Sequence, residues 1–213
     1  MTARLQRETP AEGRAVGRDR RDLVWVAVGL VVLVLSALPV EEHSLSGAER
    51  SVFDAVNSVP GLPFAPVWLL MQAGNVAAVA VAALGALVAR RPRLAVGLIV
   101  AGALAYAGAK VVKQCVTRGR PGTLVDDVTY HGAVAEGLGF VSGHAGVAVA
   151  LAVVAFPYLG RRWRWVAAGV AVFVCVARVY VGAHLPLDVV GGAALGVAVG
   201  AGVRFILGRP ACS

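Results

Sequence analysis

Long uninterrupted apolar runs, separated by short polar or basic stretches, dominate the chain. They cover residues 23–40, 64–89, 94–109, 145–160, 165–176 with its extension, and 185–207. Each is long enough, or nearly so, to cross a hydrocarbon core of about 30 Å as a helix. All are uncharged except the last, which carries Asp188 and Arg204 near its two ends. Six helices is the simplest count, and it predicts an all-α polytopic membrane bundle. Between the first two runs, residues 45–59 alternate Ala48, Val52, Phe53 and Val56 with Glu49, Arg50 and Asp54. That alternation suits a short helix lying in the membrane interface, or else a solvated loop. In the last run Gly192, Gly196 and Gly200 recur every four residues and give one smooth helix face. Such a face packs closely inside a bundle or, as a weaker use, against a second copy in a homodimer.

Composition agrees with the pattern. The 213 residues are 58% hydrophobic and 15% charged, with a mean hydropathy of +0.76, which excludes an ordinary soluble domain. The net charge of +8 would point to nucleic acid in a soluble protein. Here the basic residues sit in clusters between apolar runs, where they set membrane orientation, and no nucleic-acid partner is expected. Cys115, Cys175 and Cys212 have no metal-ligand spacing and predict neither a disulfide framework nor a zinc site.

Residues 1–22 hold six arginines among Glu8, Glu12, Asp19 and Asp22 without an apolar period, and read as a disordered cytoplasmic tail. The organisation expected is therefore a tail over 1–22, a six-helix membrane domain over 23–209 and a short C-terminal tail over 210–213. A cleaved signal peptide is the competing reading of the first run, but no small-x-small site precedes Glu41.

Six alternating spans put the tail, Arg90, Arg91 and Arg93, Arg161, Arg162 and Arg164, and Arg204 with Arg209 on one side, which the positive-inside rule assigns to the cytoplasm. The termini are then cytoplasmic in a plasma-membrane protein. The other side receives Glu41-Glu42-His43, the loop after Ala109 and the turn from Arg178 to Asp188. Lys110, Lys113, Arg118, Arg120 and Arg178 lie on that outer side, where the rule disfavours cations. Anion binding accounts for them better than anchoring.

Three outer stretches combine polar groups in ways that carry chemistry. In Lys113-x6-Arg120-Pro121, the end of a span followed by Gly119 can fold both cations towards one point, with a planar guanidinium fork for phosphate oxygens beside the point charge of lysine. Snorkelling to lipid headgroups is the structural alternative. In Ser142-Gly143-His144, Ser142 is a candidate N-cap, the first free N–H groups form an anion site, and Gly143 permits close approach of the backbone. In Arg178-x5-His184-x3-Asp188, Pro186 suits the first turn of the last span. The four-residue spacing lets Asp188 accept from one ring nitrogen of His184 and leave the other free, which is the base-orienter logic of a catalytic triad. Two histidines, an orienting carboxylate and three cations match what metal-free phosphoryl transfer requires.

These three stretches resemble the signature motifs of the type-2 phosphatidic acid phosphatase superfamily, over Lys113 to Asp188. Two positions depart from the usual pattern: Val141 stands where proline is common and Ala177 where serine is common. The resemblance implies that His184 forms a phosphohistidine, Asp188 orients it, and His144 protonates the leaving group and then acts as base towards water. It implies that Lys113, Arg120, Arg178, the Ser142 hydroxyl and the Gly143 N–H hold the phosphoryl oxygens. No metal and no cofactor are expected, and the substrate implied is a polyprenyl diphosphate, phosphatidic acid or phosphatidylglycerol phosphate, met in the bilayer at the outer face. Asp126, Asp127, His131 and Glu136 are expected in a solvated lid or entrance. The rivals are a phosphotransferase using the same phosphohistidine, a haloperoxidase of the same superfamily, and a transporter or scaffold with a vestigial site. A transporter would place polar groups at mid-span. Gln72, Asn75 and Tyr106 are the candidates, more simply read as interhelical hydrogen bonds.

Overall fold

In the computed structural model, which describes residues 16–40, 44–132 and 134–210, every long apolar run becomes helix. The helices are α1 (Arg21–Ala37), α2 (Gly47–Asn57), α3 (Phe64–Met71), α4 (Val76–Val88), α5 (Pro92–Cys115), the single turn α6 (Pro121–Leu124), α7 (Gly143–Ala155), α8 (Arg161–Tyr180) and α9 (Pro186–Leu207). The only pairing of extended chain among the described residues joins Val16–Gly17 to Arg209–Pro210. Three helices, α5, α8 and α9, are long and apolar enough to cross a membrane, or four spans result if α3 and α4 count as one. Apolar side chains remain exposed around the outside, among them Leu30, Val31, Val81, Leu84, Val96 and Val172. A bundle that exposes so much apolar surface needs lipid rather than water around it, so the chain is a membrane protein.

The run over 64–89, expected as one span, is broken. A 3₁₀ turn at Gln72–Gly74 separates α3 from α4, and their axes differ by 71°. Asn75 makes the break: its side chain caps α4 by accepting from the Ala77 N–H at 3.3 Å and donates to Gln72 Oε1 at 3.0 Å. Gly74 lets the turn press on the start of α7, because a Cβ there would stand 2.5 Å from the His144 carbonyl oxygen. Gln72 Nε2 also donates to the Trp68 carbonyl of α3 at 3.3 Å, so the Gln72 and Asn75 side chains both bond locally around the break and not across to another span. Tyr106 is half exposed beneath Lys110 Nζ, 4.6 Å from its ring centre. The expectation of interhelical hydrogen bonds at these three positions is corrected accordingly.

The glycine stripe serves packing inside the chain. A Cβ at Gly192 would meet the Ser142 carbonyl oxygen at 2.3 Å, and one at Gly196 the Gly146 carbonyl oxygen at 2.5 Å. The stripe therefore seats α9 against α7, backbone to backbone. α1 packs on the opposite side of α9 through Gly29, where a Cβ would lie 2.7 Å from backbone atoms of Ala194 and Ala198. Buried Asp22 pairs with Arg204. Within the tail drawn over 1–22, the short pairing at Val16–Gly17 and the first turn of α1 both come before residue 23; residues 1–15, Glu41-Glu42-His43 and 211–213 lie outside the described residues.

The basic clusters gather at one end of the bundle. Arg91 Nη1 donates to the Tyr158 carbonyl at 2.6 Å, and Arg164 Nε donates to the carbonyls of Phe156 and Leu159. The end of α5, the start of α7, the end of α8 and the start of α9 form the other end, and the three polar stretches lie there.

Candidate active site

The polypeptide brings His184 and Asp188 together at the entry to α9. After α8, Gly182 takes φ +73, a conformation that glycine adopts without a steric cost. The turn returns the N–H groups of Ala183 and His184 to the Arg178 carbonyl, at 3.2 and 3.1 Å. Pro186 occupies the first helical position, and Asp188, at the third, reaches back so that Oδ2 accepts from the Leu185 N–H at 2.9 Å, the carboxylate half of a capping box. His184 therefore precedes the helix. The two residues meet through this N-terminal box and not, as the spacing alone predicts, across one helix face.

His184 is 3% exposed and Asp188 fully buried. Nδ1 of His184 lies 3.4 Å from Oδ2 of Asp188, and Nε2 lies 3.4 Å from Nη1 of Arg120. A guanidinium only donates and a carboxylate only accepts. The neutral imidazole therefore carries its proton on Nδ1, towards Asp188, and turns the Nε2 lone pair towards Arg120. Burial holds its pKa far below the ordinary histidine range, at about 3, against the upward pull of Asp188.

The cations surround this ring without carboxylates of their own. Arg120 Nη1 donates to the Ala183 carbonyl at 2.7 Å and Nε to the Glu136 carbonyl at 2.7 Å. Burial lowers the Arg120 pKa, with Asp188 acting the other way. Lys113, in the last turn of α5, donates to the carbonyls of Leu138 and Gly139 at 2.6 and 2.9 Å. Arg178 is 9% exposed, its Nη1 faces Met71 Sδ at 3.4 Å, and its buried Nε has no partner. Ser142 Oγ is also buried without a partner. Ser142 holds the N-cap position of α7, but its side chain does not cap. Its backbone N–H instead donates to the Asp188 carbonyl at 2.8 Å, which ties the start of α7 to the start of α9. The first intrahelical bond of α7 runs from Gly146 to Ser142, so the N–H groups of Gly143 to Ala145 lie ahead of it, in the dipole-positive first turn.

Unpaired buried donors and uncompensated cations are costly unless an anion completes them. A cavity of about 360 Å³ opens at Arg178, lined also by His144, His131 and, from α3, Phe64, Trp68 and Met71. Ala183 brings it next to His184, which with Lys113, Arg120 and Ser142 stays behind its wall. It is polar at the histidines and apolar towards the helix flank. Lys110, over Tyr106, stays outside. In the intervening loop, His131 stacks on Tyr180 with ring centres 4.1 Å apart, and Asp126 and Asp127 are exposed. Among the described residues no group of three or more His, Cys, Asp and Glu side chains could hold a metal ion.

A family model for the PAP2 superfamily matches residues 94–209, more than half of the chain, with the three polar stretches inside it and Glu49 and α3 outside. The chain belongs to the PAP2 superfamily. Among solved structures it is similar to the Aquifex aeolicus LpxE structure, with 21% identity, a TM-score of 0.66, and coverage of 73% of this chain and 93% of that one. It is also similar to a transmembrane PAP2-type phosphatidylglycerolphosphate phosphatase from Bacillus subtilis, with 20% identity, a TM-score of 0.63, and coverage of 87% and 95%. No curated protein matches it in sequence. At these identities the two structures show that the fold is shared. At the two positions where this PAP2 chain departs from the usual motif, Val141 and Ala177 are buried among apolar side chains.

Two residues of the site escape the motif reading. Arg118 and Glu49 are buried side by side next to Asp188. Arg118 stands out in the sequence only as one of five misplaced cations. Glu49 reads as the polar face of α2, and nothing local marks it as turned inward.

Proposed function

We propose that this PAP2 protein hydrolyses a lipid phosphate or diphosphate through a phosphohistidine on His184, at the outer face of the plasma membrane. The observation that carries the reading is the neutral His184 imidazole, its Nδ1 against Asp188 and its Nε2 lone pair against Arg120. In the first step Nε2 forms a bond to phosphorus while the bond from phosphorus to the lipid oxygen breaks, and His144 gives that oxygen its proton. Asp188 stabilises the positive charge that the ring acquires. Lys113, Arg120, Arg178, Ser142 Oγ and the Gly143 N–H hold the equatorial oxygens, where charge accumulates. In the second step water attacks phosphorus, His144 takes its proton, and phosphate leaves as His184 regains its lone pair.

The apolar flank of the cavity, Phe64, Trp68 and Met71, favours a substrate whose lipid part stays in the bilayer while its phosphate enters. Polyprenyl diphosphate, phosphatidic acid and phosphatidylglycerol phosphate are the candidates, in that order. The gathering of arginines at the opposite end of the bundle supports a cytoplasmic placement of that end, and hence six crossings with the site outside. Phosphate release by the purified protein in detergent, without divalent metal, tests the reading against these three lipids beside His184→Ala. Release that depends on His184 is expected. Release only when a sugar or inositol hydroxyl is added would replace hydrolysis by transfer, and undiminished release by a folded His184→Ala protein would remove the mechanism.

A further inference from the structure

The helix between the first two apolar runs carries an acidic side chain whose surroundings its amphipathic pattern does not explain. Glu49 on α2 is 6% exposed. Its carboxylate accepts both arms of the Arg118 guanidinium, at 3.0 Å from Nη1 and 2.6 Å from Nη2, and Oε1 also accepts the Leu187 N–H at 2.9 Å. Arg118, 1% exposed, donates through the same Nη1 to Asp188 Oδ1 at 3.1 Å. Glu49 and then Asp188 outweigh the burial that opposes its charge, so its pKa rises. The other oxygen of Asp188 faces His184. Four side chains therefore form one line from α2 to the imidazole: Glu49, Arg118, Asp188, His184.

Burying three formal charges is an unfavourable way to attach a helix, since apolar side chains would do it at lower cost. The line has a use if the carboxylate of Asp188 must be held at a fixed place beside a ring that gains charge during the reaction. Arg118 pins Oδ1 and leaves Oδ2 to the imidazole. Glu49 balances Arg118, so the three charges still sum to one negative, and its bond to Leu187 fixes the first turn of α9 around Asp188.

We propose that Glu49 and Arg118 are positioning residues for the reaction, Glu49 fixing Arg118 and Arg118 fixing the carboxylate that orients His184; this rests on the reading of His184 as nucleophile. Arg118 commits both terminal nitrogens to the carboxylates of Glu49 and Asp188, and Glu49 is itself an anion, so neither holds a phosphoryl oxygen. Their loss therefore leaves ground-state anion binding intact and weakens only states in which Nε2 bonds to the central atom.

The test compares orthophosphate with vanadate, which accepts a fifth ligand from a neutral imidazole nitrogen and so imitates the transferring phosphoryl group. Binding of each is measured by equilibrium dialysis on the full chain in detergent, for wild type, Glu49→Gln, Asp188→Asn and the double variant. Glu49→Gln is expected to weaken vanadate by about tenfold and orthophosphate by less than about twofold, with no further loss in the Asp188→Asn background, because coupled residues are not additive. Arg118→Lys, which keeps the charge but loses the fork that spans two carboxylates, is expected to behave as Glu49→Gln does, with melting curves to establish folding. Equal weakening of both anions, unchanged vanadate binding, or a full further loss on top of Asp188→Asn overturns the proposal. Failure of both Glu49→Gln and Arg118→Lys to fold assigns the pair to stability and overturns it too. A wild-type protein that binds neither anion defeats the functional reading itself, an outcome distinguished by appearing before any substitution is made.

Discussion

His184 presents its two ring nitrogens to opposite charges, with Nδ1 3.4 Å from Asp188 Oδ2 and Nε2 3.4 Å from Arg120 Nη1. Asp188 selects the tautomer that leaves Nε2 free. Asp188→Asn keeps the shape but offers an amide that can donate as well as accept, so the ring can settle in the wrong tautomer. Its kcat is expected to fall by roughly 10⁴-fold, as when a triad aspartate becomes asparagine and the histidine takes the wrong tautomer. Steady-state phosphate release checks this; a fall of less than about threefold would show that Asp188 orients nothing.

Protonation of His184 links stability to pH. In the unfolded chain a histidine titrates near 6.5, whereas in the fold burial keeps His184 neutral down to about 3. Between those values the unfolded chain binds the extra proton and the native state does not, so stability falls as pH drops from 6.5 towards 3, by at most about 1.4 kcal/mol per pH unit from this group. Melting temperatures in detergent are expected to decline over that window more steeply for wild type than for His184→Gln. Parallel curves would mean that His184 is protonated in the fold.

His144 lies in the first turn of α7 and lines the cavity, so its work is proton transfer to and from substrate oxygens. His144→Ala is expected to slow alkyl phosphates by about 10²–10⁴ and an activated aryl phosphate much less in its first step, because a good leaving group needs no acid. Pre-steady-state release of the aryl alcohol then shows a burst that the wild type lacks. Equal slowing of alkyl and aryl substrates without a burst would assign His144 to binding.

The glycines of α9 separate packing from chemistry. Gly192→Ala drives a Cβ to 2.3 Å from the Ser142 carbonyl oxygen, so both melting temperature and turnover are expected to fall. Gly200→Ala meets Val153 and the Ala150 carbonyl, at 2.9 and 3.0 Å, away from the site. It is expected to lower melting temperature while turnover per folded molecule holds. Gly85→Ala, with open space around it, is the control, with stability unchanged or raised by up to about 1 kcal/mol. Loss of turnover in Gly200→Ala at full folding would show that the site depends on α9 as a whole.

The apolar runs and the three polar stretches were legible in the sequence because they rest on local pattern. Run length announces helices, and the spacing of Lys113, Arg120, Arg178, His184 and Asp188 survives folding since each sits within a turn of a helix end. The break at Gln72–Gly74 was not legible. Hydropathy does not register a bend, and the reason for this one lies 70 residues away, in the backbone of His144 against Gly74. Glu49 was hidden for the same reason: an acidic residue on an amphipathic helix looks solvated until Arg118, from a distant loop, turns it inward. The side-chain capping expected of Ser142 is absent: its backbone N–H is committed to the Asp188 carbonyl, and its hydroxyl is buried without a partner.

The measurement that bears most directly on the central claim is capture of the enzyme-bound phosphoryl group. Wild-type and His144→Ala proteins are mixed with lipid labelled in the terminal phosphate, quenched in alkali within milliseconds and digested to peptides. Label on the peptide containing His184, stable in alkali and lost in acid, and absent from His184→Ala, is the predicted result. Turnover of the labelled lipid with no label retained on His184 in either protein would contradict the account.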